Sequence, residues 1–176
     1  MTINLIDSVH ENSPIHIQWD QIDCSGTIPP GRAGFSASLH DNIVLIFGGG
    51  TLWTDGSVFN DLYTLDLKSW SWDEVQPVRM HGTIPSPRQG NSAVTMPDPK
   101  LMCLYGGSNG VENFNDIHIY NITSHIWSQP FVPGTRPRGS YGHSAHILPS
   151  LNNQLIVFGG SSWVNYIASV ERATHK

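Results

Sequence analysis

The sequence has few charged residues and no cluster of positive ones. Of its 176 residues only 13% are charged, and the formal net charge is -5, whereas typical domains carry about a quarter charged residues. No run of Lys or Arg occurs, so the electrostatic footprint of a nucleic-acid binder is missing. The composition therefore predicts that nucleic acid is not a partner.

Long apolar runs are also absent. No stretch approaches the roughly 20 apolar residues of a membrane-spanning helix, and the first residues lack the basic and apolar segments of a secretory signal. We therefore expect no membrane span and a cytoplasmic location. The sequence has only two cysteines, Cys24 and Cys103, and they lie far apart, which favours free thiols over a disulfide.

Turn-forming and aromatic residues are plentiful by contrast. The chain holds 17 glycines, 12 prolines and six tryptophans, and 39% of its residues are hydrophobic. That content is sufficient for a folded core. The balance of glycine, proline and tryptophan favours a turn-rich, all-β protein.

One phrase recurs three times along the chain. Each copy has an arginine before a short polar segment and an apolar run closed by two glycines, as in "PSPRQGNSAVTMPDPKLMCLYGG". The repeated arginines are Arg32, Arg88 and Arg138, and the doublets are Gly48 and Gly49, Gly106 and Gly107, and Gly159 and Gly160. Spacings near 50 residues predict a repeat architecture with one sheet per unit.

A second segment follows each glycine doublet. It reads "NDLYTLDLKSWSW" and "NDIHIYNITSHIW" in the first two units, so Trp72 and Trp127 stand at equivalent places. In the third unit Asn165 is followed by Tyr166 instead of aspartate. Trp19, in "IHIQWDQI", ends an earlier and incomplete unit by the same comparison.

From about Ile15 onward the chain resembles the kelch family of β-propeller proteins. The glycine doublet, the Asn-Asp segment and the tryptophan recur in the family's order. The resemblance implies an all-β, kelch-type propeller of four-stranded antiparallel blades. The histidine that the family places after the arginine segment is kept only as His143; Phe35 and Asn91 stand there in the other units.

The apolar patterns predict the same blades on physical grounds. The runs "IVLIFGG", "LMCLYGG" and "LIVFGG" suit strands covered on both faces, and "DLYTLDL" and "DIHIYNI" alternate as half-buried strands do. The predicted units are a lead-in at 1–14, an outer strand of a preceding or closing blade at 15–22, and blades at 30–76, 86–131 and 137–176.

The third predicted blade lacks its last strand, so we expect an open segment of a ring. Propellers close with about four to eight blades, and uncovered sheet faces and edges favour association. The alternatives are completion by further sequence of a longer kelch protein, a six-bladed ring of two copies that exchange outer strands, or aggregation.

Long loops are expected to emerge together on one face of the blades, where they can bind a protein partner. The candidate partner-binding residues are Arg32, Arg88, Arg138, Trp53, Phe59, Phe114 and Trp163. Two structural alternatives stay open. The aromatic side chains can pack on an adjacent blade, and each arginine can bond loop carbonyls or an acidic residue of its own blade.

The sequence carries no recognisable reaction centre. It lacks a nucleophile elbow and a Gly-Lys-Ser/Thr loop, and His143 and His146 lie three apart in a predicted strand, on opposite faces. We therefore predict a non-catalytic scaffold or adaptor for protein interactions, without a metal or a cofactor. The resemblance also covers the galactose oxidase group, so a truncated copper enzyme or a sugar-binding propeller is the alternative.

Overall fold

The described residues form three sheets, which are antiparallel except at one short edge strand, and a separate two-stranded antiparallel sheet. The computed structural model describes residues 2–5, 17–51, 56–76, 83–162, 165–166 and 170–173. Within these ranges the regular structure is β-strand, apart from a single 3-10 turn at Pro149–Leu151. No helix in the same ranges is long and apolar enough to cross a membrane.

Blade 1 is a five-stranded sheet whose order is β3-β7-β6-β5-β4. The short strand β3 pairs parallel with β7 at the outer edge, and the other neighbours are antiparallel. The strands are β3 (Ser25–Gly26), β4 (Ser36–His40), β5 (Ile43–Phe47), β6 (Leu62–Asp66) and β7 (Ser71–Val75).

Blade 2 repeats this meander with four strands, in the order β11-β10-β9-β8. Its strands are β8 (Ser92–Thr95), β9 (Leu101–Tyr105), β10 (Ile117–Asn121) and β11 (Ile126–Ser128). Turns of a few residues join successive strands at one end, which forces antiparallel pairing.

Blade 3 has three strand positions among the described residues. Two short strands lie one after the other along the same edge of β13. The strands are β12 (Tyr141–Leu148), β13 (Gln154–Ser162), β14 (Asn165–Tyr166) and β15 (Val170–Ala173). The predicted blade boundaries remain predictions.

The N-terminal strands pair with each other. The strand β1 (Thr2–Leu5) pairs antiparallel with β2 (Ile17–Asp20), and this sheet contains no other strand. The assignment of 15–22 to the outer strand of a preceding or closing blade remains a prediction. The alternation of polar and apolar residues in "TINL" suits a strand, and pairing with a nearby segment costs less loop-closure entropy than pairing with a distant blade.

The core lies between the blades in two layers. One cluster joins blade 1 to blade 2, and the other joins blade 2 to blade 3. The central strand β9 serves both layers, because Met102 and Leu104 belong to the first cluster and Cys103 and Tyr105 to the second. This explains the unbroken apolar run "LMCLY": both faces of the strand are buried, so no position is left for a polar residue.

The free thiol of Cys103 is part of this packing. Burial raises its pKa to about 12, so the side chain remains a neutral, apolar filler at ordinary pH. The all-β fold class and the three successive kelch-type blades are confirmed, and the sheets formed by the described residues do not close into a ring.

Candidate functional site: the blade junctions and the loop-rich face

Two of the repeated arginines are anchored inside their own blades. The Arg88 side chain is 0% exposed, and its two terminal nitrogens donate to the two carboxylate oxygens of Asp116 at 2.6 and 2.9 Å. Its Nε donates to the Ser86 carbonyl at 3.1 Å, and Nη1 also donates to the Gly106 carbonyl at 3.0 Å. Four of the five N–H groups of a guanidinium are therefore used within the chain.

Arg32 repeats this arrangement in blade 1. It binds both carboxylate oxygens of Asp61 and donates to the carbonyls of Pro30 and Gly48, each at 3.1 Å. A planar guanidinium fits a carboxylate with two parallel hydrogen bonds. We call each arginine with its aspartate a clamp, because it ties the start of a blade to the loop after the glycine doublet.

The predicted loop aromatics Phe59 and Phe114 cover the clamps. The guanidinium carbon of Arg32 lies 4.5 Å from the centre of the Phe59 ring, and that of Arg88 lies 4.1 Å from the Phe114 ring. Such stacking places a delocalised cation over the electron-rich face of an aromatic ring. The two rings are thus engaged with their own blades, a contact that the sequence did not predict.

The asparagine between the phenylalanine and the aspartate bonds the next blade. Asn60 donates to the Pro85 carbonyl at 3.3 Å, and Asn115 donates to the Pro137 carbonyl at 2.9 Å. The tripeptide Phe-Asn-Asp, present at 59–61 and 114–116, therefore joins three tasks. Its phenylalanine stacks on the arginine, its asparagine donates to the following blade, and its aspartate forms the ion pair with the arginine.

The third arginine is not equivalent to the other two. Arg88 N–H donates to the Phe59 carbonyl across the first junction, and Ser140 N–H donates to the Phe114 carbonyl across the second. Ser140 therefore occupies the position that the sequence assigned to Arg138. The glycines at 34, 90 and 142 indicate the correct alignment of the three units, because each lies two residues after Arg32, Arg88 or Ser140.

Blade 3 has lost both members of the clamp. The strand register pairs Phe158 with Val170, as it pairs Phe47 with Leu62, so Tyr166 does not stand at the aspartate position. Segment 161–169 contains no acidic residue. The arginine and the aspartate are expected to be absent together, because either charge buried without its partner would strongly destabilise the blade.

The Arg88 clamp is extended by a histidine. His118 Nε2 lies 2.8 Å from the second carboxylate oxygen of Asp116, and Nδ1 lies 3.2 Å from the Thr83 carbonyl. Both neighbours are acceptors, so the imidazolium form donates to both at once. Burial alone would raise the pKa of Asp116, but the bonds from His118 and Arg88 outweigh it and hold that pKa well below its usual range.

The glycine doublets form the backbone contact between blades. Gly49 N–H donates to the Arg88 carbonyl at 2.9 Å, and Gly107 N–H donates to the Ser140 carbonyl at 2.9 Å. Both glycines have positive φ, of 89° and 97°, and a Cβ on Gly49 would lie 2.8 Å from the Ala33 oxygen. Glycine is needed here for its backbone conformation and for close approach.

The inner strands of the three blades line an open groove of about 440 Å³. Its wall is formed by β4, β8 and β12 and carries mostly small or polar side chains, among them Ser38, Ser92 and His146. None of the three repeated arginines lines this groove.

The loops on one face carry the most exposed apolar side chains among the described residues. Val111 is 89% exposed and Phe131 is 87% exposed. Their loops meet, because the Asn115 side chain bonds the Pro137 carbonyl and Gly139 lies against Asn113. We call loops 108–115 and 129–139 the loop-rich face; Arg136 and Arg138 are exposed on it.

The two repeated tryptophans differ in burial. Trp127 on β11 is almost fully buried, and its ring contacts Phe47 of blade 1 with centroids 5.2 Å apart. Trp72 pairs with Leu65 as Trp127 pairs with Tyr120, but it is only half-buried. Trp53 and Trp163, predicted to bind a partner, lie outside the described residues, so their role stays a prediction.

A buried histidine makes stability depend on pH. Burial lowers the pKa of His143 from its ordinary value of 6.5, against the opposing effect of bonds to the backbone of Tyr105 and Ser140. Below pH 6.5 the unfolded chain binds a proton that the folded chain excludes, so the free energy of unfolding falls as the pH falls through this range.

We predict that His143→Asn reduces this pH dependence. Asparagine occupies the equivalent position in blade 2, as Asn91, so the variant is expected to fold. The measurement is the urea midpoint from about pH 7.5 to about pH 5.5. As the pH falls, the variant should lose less stability than the parent. The loss that remains is expected to come from His40, because burial also lowers its pKa. Equal slopes for the two proteins would contradict the assignment.

Sequence reasoning missed Asp61, Asp116 and Ser140 as parts of the site. The signal was available for the first two, since Phe-Asn-Asp recurs in full, but only the Asn-Asp part was recognised as a motif. In the portion of the chain that the structure describes, no three His, Cys, Asp or Glu side chains are placed to hold a metal ion together.

Comparison with curated proteins gives relatives in several organisms. The chain is 35% identical over 147 residues to Kelch domain-containing protein 1 of Mus musculus, which covers 81% of this chain and 34% of the relative. It is 31% identical over 149 residues to Acyl-CoA-binding domain-containing protein 4 of Arabidopsis thaliana, covering 85% of this chain and 21% of that protein.

A further relative is the Rab9 effector protein with kelch motifs of Xenopus laevis. It is 28% identical over 146 residues, which cover 81% of this chain and 37% of the relative. The chain thus spans between about a fifth and two fifths of the length of these proteins.

The family comparison agrees with the repeats and with the blade geometry. The model of the KLHDC2/KLHL20/DRC7 Kelch-repeats domain matches residues 5–170, which includes all three glycine doublets and both clamps. The chain therefore belongs to the kelch-repeat family.

Proposed function

We propose that the chain is a non-catalytic scaffold that binds a protein partner through its loop-rich face. The observation that carries this proposal is the exposure of Val111 and Phe131 on loops held by rigid blades. Large apolar side chains that the fold leaves in solvent are favourable anchors for an interface. Loops fixed by a rigid scaffold are common sites of recognition.

The clamps support the proposal by fixing the loops. Asn115 and the Phe114 carbonyl both bond the segment that leads into blade 3, so loops 108–115 and 129–139 are held against each other. A preorganised surface loses less conformational entropy on binding than a mobile one. The Arg88 clamp, which holds Phe114 and Asp116 on either side of Asn115, therefore acts on a partner through the shape of the face.

Arg138 is the repeated arginine that is best placed to contact a partner. It is exposed on the loop-rich face beside Arg136, so a partner with carboxylates near an apolar patch fits the surface. The name of the Xenopus laevis relative, Rab9 effector protein, supports a protein as the class of ligand. An adaptor role and a cytoplasmic location stay predictions of the sequence.

Affinity capture with matched variants tests the proposal. We expect Val111→Asp combined with Phe131→Asp to reduce recovery of a stoichiometric partner at least about tenfold, because removing interface anchors costs more than about 1.4 kcal/mol. The unfolding midpoint should stay unchanged, since both side chains are exposed. The matched control is Leu151→Asp, which alters an exposed leucine at the opposite end of the blades.

An equal loss of partner in the Leu151 variant would contradict the assignment of the face. Oxidation of an alcohol by the purified chain with bound copper would overturn the non-catalytic role itself.

A further inference from the structure

Loop 108–115 contains the only asparagine in the sequence that precedes a glycine, Asn109 before Gly110. The backbone nitrogen of the next residue can attack an asparagine side chain, and a glycine at that position has no side chain to hinder the closing ring. Whether the attack occurs in a folded chain depends on how the side-chain carbonyl is polarised and on how freely the nitrogen can move.

The side-chain carbonyl of Asn109 is held by two backbone donors. Its Oδ1 accepts the N–H of Val111 at 2.9 Å and the N–H of Glu112 at 2.8 Å. Two N–H groups aimed at one carbonyl oxygen stabilise the negative charge that develops on it when the carbonyl carbon is attacked. The Cγ atom of Asn109 is therefore activated toward a nucleophile.

The nucleophile is the backbone nitrogen of Gly110. Its N–H donates to Ser108 Oγ at 3.1 Å, and the same hydroxyl donates to the Glu112 carbonyl at 2.8 Å. Linked hydrogen bonds polarise one another, so this chain increases the electron density on the Gly110 nitrogen. Gly110 is exposed, and a Cβ built on it would meet nothing within 4 Å, which leaves room for a ring to close.

The turn after β10 has the same side-chain bonding but a different nucleophile. Asn121 Oδ1 accepts the N–H groups of Thr123 and Ser124, both at 3.0 Å. The next residue is Ile122, whose N–H donates to the Lys100 carbonyl at 2.9 Å and whose side chain packs against the core between blades 1 and 2. Ring closure at this turn would break that bond and that packing, so Asn121 is expected to be inert.

We propose that Asn109 is a site of self-modification, at which the side chain loses its amide through a cyclic imide formed with Gly110. The Gly110 nitrogen bonds to Asn109 Cγ, and its proton passes to Nδ2. The Cγ–Nδ2 bond then breaks, and ammonia leaves. Water adds to either carbonyl of the imide and opens the ring, which gives aspartate or isoaspartate at position 109. Water is the only co-reactant.

Both products place a negative charge on the loop-rich face, beside the exposed Val111 and Glu112. Aspartate keeps an oxygen that can accept the two N–H bonds of the turn. Isoaspartate routes the backbone through Cγ and adds a carbon to it, so the turn is lost. An effect of this change on partner binding rests on the proposed function, whereas the modification itself does not.

Peptide mass spectrometry of the full chain, aged in water enriched in the heavy isotope of oxygen, tests the proposal. We expect the peptide with Asn109 to lose its amide and gain one heavy oxygen, as aspartate and isoaspartate forms. The rate should rise with hydroxide concentration, because the Gly110 nitrogen must lose its proton. The peptide with Asn121 should stay unchanged, and reaction at Asn109 should be at least as fast in the folded chain as in urea.

Gly110→Ala should slow the reaction at least about tenfold, because its methyl group hinders ring closure. Gly134→Ala is the matched control and should leave the rate unchanged. Gly110 and Gly134 have φ of 88° and 89°, and a Cβ on either meets nothing within 4 Å, so the two variants carry the same backbone strain.

An Asn109 peptide that keeps its amide would overturn the proposal, as would equal reaction at Asn109 and Asn121. Slower reaction in the folded chain than in urea would also overturn it, because the turn would then protect Asn109. None of these measurements involves a partner, so the proposed scaffold role can fail or succeed separately.

Discussion

Replacing Trp127 with alanine is expected to lower the free energy of unfolding by about 3 to 5 kcal/mol, the range for truncation of a large buried aromatic residue. Trp127 is 1% exposed and lies at the centre of the layer between blades 1 and 2, where its ring contacts Phe47 at 5.2 Å and Tyr120 at 4.9 Å. Its removal leaves a cavity that two sheets share, so neither sheet can fill it alone.

The repeat supplies a matched control for this prediction. Trp72 stands at the equivalent position of blade 1 but is only half-buried, so Trp72→Ala should cost clearly less. Urea unfolding followed by circular dichroism measures both losses. Equal losses would show that the junction contributes nothing beyond the blade itself, contrary to the packing described above.

Replacing Arg88 with alanine is expected to cost about 3 to 5 kcal/mol, because the partly buried Asp116 carboxylate keeps its bond with His118 but loses the guanidinium that binds both of its oxygens. The Asp116 carboxylate and the Gly106 carbonyl both lose donors in this variant. Arg138→Ala is the control, and a change within about 0.5 kcal/mol is expected for this exposed side chain.

The pair of variants also separates structure from recognition. If Arg88 contacted a partner directly, Arg88→Ala would abolish capture while leaving the unfolding midpoint nearly unchanged. We expect the reverse: a large loss of stability for Arg88→Ala, and reduced capture without a stability change for Arg138→Ala.

The strands and the order of the blades could be predicted because their signals are local. The run "LMCLY" is apolar throughout since β9 is covered on both faces. Gly48 and Gly106, which open the first two doublets, mark sites where a side chain would collide with the next blade. Such constraints act on single positions, so they leave a clear trace in one sequence.

The roles within the site depended on contacts between distant residues and were harder to predict. Arg138 differs from Arg88 locally only in its spacing to the aligned glycine of its unit, which is four residues instead of two. The structure shows what this means, because Ser140 and not Arg138 meets the Phe114 carbonyl. The sequence is equally compatible with Phe114 as a surface anchor and with Phe114 as a cover for a guanidinium. The structure supports the second role, because the Arg88 guanidinium carbon lies 4.1 Å from the centre of the Phe114 ring.

Hydrogen exchange on the complex with a captured partner tests the central claim most directly. Binding through the loop-rich face predicts slower amide exchange in segments 108–115 and 129–139, with the opposite turns at 97–100 and 149–153 unchanged. Protection confined to those opposite turns, with the two loop segments unaffected, would contradict the account.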